Sequence, residues 1–282
     1  MKSFLFSAIS LFFCSIAYCQ MAGQFKNDVF LKKLYADTSY TNLKKKVVKE
    51  FKHAKPGHWG EFVKGVDEKI STKQKLIAFT FDACGKEKGK GYDYELIQLL
   101  RKENVPATLF VTGRWIDKHF KALVALSQDS LFEIENHGLN HKPCSACGES
   151  EYGIKGTANP SEAFDEIEAN ARKIEAIIGK KPRFYRSATA FIDESCARMA
   201  TKLGITVVSY EVLSGDAVAN TPDTIIAQNV IKHAKPGAIV IMHFNHPKWN
   251  TCEALRIIIP ALREQGYKFI RLKDFPLKSM KD

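Results

Sequence analysis

Residues 76–85 read LIAFTFDACG: a run suited to a buried strand from Leu76 to Phe81, a carboxylate at Asp82, then small residues ending at Gly85. An apolar run of this length, closed by a turn, fits a strand covered on both faces. Comparable runs recur at 107–111 (ATLFV), 131–135 (LFEIE), 184–188 (FYRSA), 205–210 (ITVVSY), 238–243 (AIVIMH) and 268–272 (KFIRL). Helix-like segments separate most of them. In the clearest, 160–178, Phe164, Ile167, Ala171, Ile174 and Ile178 recur at three- and four-residue spacing. Asn159 is its expected N-cap, Pro160 suits the first helical position, Glu162 completes a capping box and Gly179 ends the helix. Thr221-Pro222 opens a later helix in the same way. Strand and helix in repeated alternation predict a parallel sheet with helices outside it. Seven strands in about 200 residues predict an α/β fold, a distorted (β/α)7-type barrel of parallel strands.

In such a barrel the chemistry gathers where the strands end. Asp82 closes the first run, and His137 with His141 follows the third. Arg186 lies in the fourth, Asp216 follows the fifth, and His243 closes the sixth. A single histidine at a strand end is more often structural than catalytic. Polar clusters at five strand ends are not explained by core packing. The spacing of His137 and His141 puts both imidazoles on one side of a helical turn, as a divalent metal requires, and Asp82 offers a carboxylate to complete the set. Such a metal polarises a carbonyl and lowers the pKa of bound water toward about 7. His243 then serves to protonate a leaving group, with Asp216 holding its tautomer and raising its pKa. Arg186 keeps Asp82 ionised by charge pairing.

The ordered set resembles the polysaccharide deacetylases, the NodB-homology domain or carbohydrate esterase family 4, from about residue 75 to about residue 275. The family's TFDDG reads here as Thr80-Phe81-Asp82-Ala83-Cys84-Gly85, and its His-Ser/Thr-x-x-His as His137-Gly138-Leu139-Asn140-His141. Arg186-Ser187-Ala188-Thr189 stands for its Arg-Pro-Pro, Asp216-Ala217 for its Asp-Trp, and Ile241-Met242-His243 for its Leu-x-His. The resemblance implies a distorted barrel of seven or eight strands. It implies that Asp82 is the catalytic base, His243 the acid, Arg186 the residue orienting the base and Asp216 the carboxylate tuning the acid. It further implies His137 and His141 as ligands of a divalent metal, zinc in most members and cobalt or nickel in some. Thr189 falls near the position whose main-chain N–H stabilises the oxyanion. The main departure is Ala83, which replaces the family's third metal ligand and coordinates nothing. Three outcomes stay open. Asp82 itself binds the metal; a neighbour in sequence, Cys84, Glu135 or His246, replaces the ligand; or the metal is weak or absent. The missing Pro-Pro and Trp imply a reshaped pocket.

Outside the barrel, Met1-Lys2 and the apolar run Phe4 to Tyr18 read as a secretory signal peptide, too short for a membrane span of about 20 residues. Cleavage after Cys19 leaves Gln20 as the first mature residue. Lipid anchoring at Cys19 is disfavoured by the bulky Tyr18 in its lipobox-like context. The domain reading is therefore 1–19 signal peptide, 20–70 helical N-terminal extension and 71–282 catalytic domain. In the extension, Val29, Leu31, Leu34, Leu43, Val47, Val48 and Phe51 suggest one or two helices lying on a larger body. His58-Trp59-Gly60 reads as a turn with a buried or site-covering ring. No second long apolar run follows, so no transmembrane segment is expected after cleavage.

The 282-residue chain is 45% hydrophobic and 26% charged, which excludes a disordered or collagenous protein. Its formal charge of +11, or +10 without Lys2, favours anionic polymers of the cell envelope. No nucleic-acid-binding pattern is present. Cys84, Cys144, Cys147, Cys196 and Cys252 remain after cleavage, an odd number that leaves at least one thiol free or intermolecular. A disulfide within Cys144-Ser145-Ala146-Cys147, or from one of that pair to Cys84, is expected over a zinc or redox motif.

The reading that follows is an exported, metal-dependent deacetylase removing acetyl groups, N-acetyl before O-acetyl, from a cell-envelope or environmental polysaccharide. Peptidoglycan, chitin-like oligomers and acetylated xylan all suit it. The alternatives are a small-amide C–N hydrolase on the same barrel, or a glycan-binding relative that lost catalysis through Ala83.

Overall fold

The 76–83 stretch forms an interior strand of the main sheet, and its alternation decides what faces what. The computed structural model describes residues 21–85 and 89–279, so the signal-peptide and lipid-anchor expectations fall outside the described residues. Among the described residues the main sheet has nine strands: β1 (Val66–Asp67), β2 (Leu76–Ala83), β3 (Ala107–Val111), β4 (Phe132–Asn136), β5 (Phe184–Tyr185), β6 (Thr206–Val208), β7 (Val212–Leu213), β8 (Ile239–His243) and β9 (Lys268–Ile270). Their order is β7-β8-β2-β3-β4-β5-β6-β1, with β9 paired to the start of β2, and every pairing is parallel. The end strands β7 and β1 do not pair with each other, so the barrel is open along that seam. Below it, the Ile70 N–H donates to the Gly237 carbonyl at 2.8 Å.

Side chains on β2 divide by parity. Ile77, Phe79, Phe81 and Ala83 join an apolar layer with Leu109, Val111, Val240 and Met242 and the surrounding helices. Leu76 and Ala78 belong to a smaller interior cluster with Phe110 and Phe184. Thr80 and Asp82 share that inward parity, and the interior is lined further up by the buried Thr108, Glu133, Glu135 and Arg186. A fully buried Phe or Leu contributes about 1.5–3 kcal/mol, so the outer layer can carry the stability while the inner face holds charge.

The 160–178 helix forms with a local departure from regular α geometry: Pro160–Phe164 and Asn170–Ile178 are α-helical, and Asp165–Ala169 between them is a π-turn. Asn159 caps it by accepting the Glu162 N–H at 3.0 Å, and Gly179 ends it at φ +71°. Glu162 accepts from the Ala158 N–H rather than from the cap residue itself. π-Turns concentrate at functional sites, and this one sets Glu166 and Asn170 beneath the histidine loop.

The described part of the N-terminal extension is helical at 21–24, Asn27–Ala36 and Thr38–Phe51. Phe30, Leu34, Tyr40, Val47 and Phe51 bury its inner side, and the fully buried Lys173 ammonium anchors its start by bonding Asn27 Oδ1 at 2.7 Å beside Asp117. Beyond residue 51 the expected helical extension gives way to strand. Trp59–Gly60 pairs antiparallel with Ile192–Asp193, and Val66–Asp67 is β1 itself. Pro56, Gly57, Gly60 and Gly65 break helical geometry there, so residues 59–70 are woven into the barrel and do not lie on it. Trp59 packs on Phe191 and is not a cavity-lining ring.

The cysteine expectation needs correction. None of the five described cysteines is in a disulfide. Cys144 is buried, its N–H held by Ser187 Oγ at 2.8 Å, with its thiol against that of Cys196, while Cys147 is exposed at the following turn. The two cysteines of the CxxC therefore face different environments. Among the described residues no helix is long and apolar enough to cross a membrane.

Candidate active site

The strand ends bring the expected residues to one cavity of about 520 Å³, lined by Asp82, Cys84, His137, His141, Thr189 and His243 among others. Asp82 and His243 are register partners on the paired strands β2 and β8, so their side chains leave the sheet side by side. Arg186 is fully buried beneath them. Its Nη1 donates to Thr80 Oγ1 and to Asp82 Oδ1, both at 2.9 Å, and its Nη2 donates to the Ser209 carbonyl at 2.8 Å. The guanidinium also lies over the Phe110 ring, 4.3 Å from its centroid. Burial alone would raise the Asp82 carboxyl, but the charges of Arg186, His137 and His243 outweigh it and hold the group below its ordinary value. Asp82 is thus an ionised carboxylate with one oxygen committed to Arg186 and the other toward the cavity.

On the same side, Asp216 holds His243 at two points. Its Oδ1 contacts His243 Nδ1 at 3.0 Å and its Oδ2 accepts the His243 main-chain N–H at 2.7 Å. Ser214 Oγ and Thr251 Oγ1 each donate to Asp216 at 3.0 Å, which fixes the carboxylate in turn. Burial works against the imidazolium, yet Asp216 and then Asp82 raise the His243 pKa above its ordinary value. With Nδ1 bonded to Asp216, Nε2 is left to exchange a proton with a ligand.

The His137–His141 segment is a loop, not the expected helical turn. Gly138 and His141 both adopt left-handed backbone, at φ +87° and +57°. The Asn136 side chain accepts the Gly138 N–H at 2.9 Å, and Glu166 accepts the N–H groups of Asn140 (2.9 Å) and Lys142 (3.0 Å). A Cβ at Gly138 would lie 2.4 Å from Glu166 Oε1, so glycine is required there. This folding-back still brings the two imidazoles together, with centroids 5.1 Å apart. His137 Nδ1 lies 2.9 Å from the Arg186 carbonyl, a contact that only its N–H can make, so Nε2 presents a lone pair to the cavity. Burial lowers the His137 pKa despite the opposing pull of Asp82, which favours the neutral, ligating imidazole.

Ligand atoms of Cys84, His137 and His141 lie within 4.8 Å of one another, the one such group of three among the described residues. Two imidazoles and a thiol fit a borderline-soft divalent ion. Asp82, expected as base and as metal ligand, stands beside this trio: its Oδ2 is 3.7 Å from His137 Nε2. The other sequence neighbours of Ala83's missing carboxylate are engaged elsewhere. Glu135 accepts the Arg183 and Phe184 N–H groups, and His246 stacks on Trp249 at 3.5 Å. Thr189 lines the cavity at φ +62°, followed by Ala190 at +61°, two non-glycine residues in left-handed backbone at the site.

Several lining residues were not singled out by sequence. Glu61 comes from the N-terminal extension, and its Oε1 accepts the Tyr210 hydroxyl at 2.7 Å. Tyr152, 72% exposed, stands at the tip of the Ser150–Glu151/Ile154–Lys155 hairpin. With Leu213 and Val218, 57% and 67% exposed, it forms an apolar rim. Trp249 packs against His243, with centroids 5.7 Å apart. Only exposed apolar residues at a strand end would have flagged the rim, and sequence does not report exposure.

Comparison with known proteins agrees with this geometry. Residues 69–208 match the family profile described as polysaccharide deacetylase. The chain is 28% identical over 207 residues to the peptidoglycan-N-acetylmuramic acid deacetylase of Bacillus subtilis (strain 168), covering 72% of each chain. It is 25% identical over 187 residues to a chitooligosaccharide deacetylase of Bradyrhizobium sp. (strain ANU 289), covering 62% of this chain and 80% of that one. Among solved structures, it is similar to a carbohydrate esterase family 4 pseudoenzyme from Bacillus anthracis, with TM-score 0.61 and 25% identity over 74% of this chain and 67% of that one. The chain belongs to the polysaccharide deacetylases, the NodB-homology or carbohydrate esterase family 4 group.

Proposed function

We propose that the chain is an exported, metal-dependent deacetylase that hydrolyses N-acetyl groups on a cell-envelope or environmental polysaccharide. The observation that carries this reading is the pairing of an ionised Asp82 with a proton-holding His243 on adjacent strands of one cavity. Acetamide hydrolysis needs such a base and such an acid, one to take a proton from water and one to give a proton to the leaving amine. When bound at His137 and His141, a divalent ion, zinc above all, supplies Lewis acidity toward the acetyl carbonyl.

The chain's own residues do the rest. Asp82 accepts the proton of the attacking water through its cavity-facing oxygen, while Arg186 holds the other oxygen and fixes its direction. The main chain at Thr189 donates to the oxyanion as it develops. His243 Nε2 delivers its proton to the sugar nitrogen as the C–N bond breaks, and Asp216 stabilises the imidazolium before that step. Named relatives that act on peptidoglycan and chitooligosaccharides support a glycan substrate. The basic charge and the N-terminal apolar run support export to an anionic envelope.

A second reading, a glycan-binding protein without catalysis, draws on Ala83 and on the likeness to a family pseudoenzyme. Acetate release separates the two. The zinc-supplemented chain is expected to release acetate from N-acetylated chitooligosaccharides or peptidoglycan, and Asp82→Asn to abolish this. Tight glycan binding with no acetate from any acetylated glycan would establish the second reading instead.

A further inference from the structure

We infer that the Cys84 thiolate is the third metal ligand of this site, moved one residue along the chain from the place where the family carries a carboxylate. The shift follows from strand parity. Ala83 is fully buried in the apolar layer outside the sheet, with Phe79 and Phe81. A carboxylate confined to that layer would be desolvated without a partner. Cys84 returns to the inward parity of Thr80 and Asp82 and lines the cavity with the two histidines.

The backbone that carries the thiol is held firmly. Thr112 Oγ1 donates to the Ala83 carbonyl at 3.1 Å and to the Cys84 carbonyl at 2.8 Å. The Gly85 N–H donates to the Gly89 carbonyl at 2.9 Å, and Lys118 Nζ donates to the Gly85 carbonyl at 3.3 Å. Gly85 turns the chain away at φ +78°, and a Cβ there would lie 2.5 Å from the Trp115 nitrogen. These bonds fix the backbone from which the thiol projects. Donors of a tetrahedral zinc site, at about 2.0–2.3 Å from the ion, stand about 3.3–3.8 Å apart. The trio's donor atoms lie within 4.8 Å of one another, a limit about 1 Å wider, so binding requires the side chains to draw in by up to that much. On binding, the thiol proton passes to solvent. A Cys-His-His set prefers zinc and cobalt over the hard ions magnesium, calcium and manganese, which a carboxylate set tolerates better.

The deacetylase reading supplies only the reason to place a metal in this site. Metal bound through Cys84 without deacetylation would sink that reading and leave this one standing. The test is cobalt titration of the full chain. A near-ultraviolet thiolate-to-cobalt charge-transfer band should grow to one equivalent. Cys84→Ala should lose the band and weaken binding by more than the 10–100-fold typical of an outer partner. Cys84→Asp should bind cobalt without the band. A second readout needs no variant: zinc should protect Cys84 from iodoacetamide, mapped by mass spectrometry, while the exposed Cys147 reacts unchanged. Stoichiometric cobalt without the band, equal affinity in Cys84→Ala, equal alkylation of Cys84 with and without zinc, or no metal binding would each overturn the inference.

Discussion

The two walls of the cavity are built on different principles. On the β2–β8 wall, Asp82 and His243 are set by charge: Arg186, after β5, and Asp216, after β7, are the partners that oppose the cost of their burial. On the β4 wall, His137 and His141 are set by conformation, through Gly138, Asn136 and the Glu166 clamp, and burial keeps the His137 ring neutral. Proton transfer needs groups whose charge state is fixed in advance, and electrostatic pairing provides that. Metal ligation needs unprotonated donors in a fixed arrangement, and a neutral imidazole on a rigid loop provides that. Damage to one wall should therefore leave the signature of the other intact.

The largest expected effect is on the charged wall. Asp82→Asn and His243→Ala should each lower acetate release by about 10²–10⁴-fold, the range of general acid–base catalysis. Zinc affinity should change little in His243→Ala, as equilibrium dialysis would report; a parallel loss of metal would mean the walls are not separable. Next is the conformational wall. Glu166→Ala removes the acceptor of the Asn140 and Lys142 N–H groups and should weaken zinc binding by about 10–100-fold. With saturating zinc its pH–rate profile should keep the wild-type shape. The smallest effect belongs to the rim. Glu61→Ala frees the Tyr210 hydroxyl and removes an acceptor from the cavity edge. A hydrogen bond of about 0.5–1.5 kcal/mol corresponds to a few-fold rise in KM at unchanged kcat. A fall in kcat alone would show that Glu61 acts on the chemistry and not on glycan binding.

The two walls also differed in how far sequence revealed them. Asp82, Arg186, Asp216 and His243 were legible because each follows an apolar strand run, and barrel geometry sends strand ends to one face. The helical turn expected at His137–His141 was misread because the left-handed Gly138 and His141 and the Glu166 clamp depend on a π-turn some 25 residues away in the chain. The helix-period pattern does not report the π-turn, because Phe164, Ile167, Ala171 and Ile174, the positions it marks, are buried on either side of and within it. The strand at 66–67 was missed because two residues carry no alternation, and Val66 becomes a strand only by pairing with Val207. Free Cys144 against Cys196 joins residues 52 apart in sequence, a contact that spacing within the CxxC cannot report.

Asp82 and His243 hold opposite protonation states on adjacent strands, and the pH dependence of acetate release tests that most directly. Asp82 must be ionised, so activity is present above its pKa, which is depressed below the ordinary 3.8. His243 must be protonated, so activity is present below its pKa, which is raised above the ordinary 6.5. The profile of kcat/KM should therefore be a plateau across the weakly acid range, bounded on the alkaline side by His243. Asp216→Asn removes the charge that raises His243 and should shift the alkaline limb to lower pH while leaving the acid limb in place. An alkaline limb that does not move in Asp216→Asn would contradict the assignment of His243 as the acid.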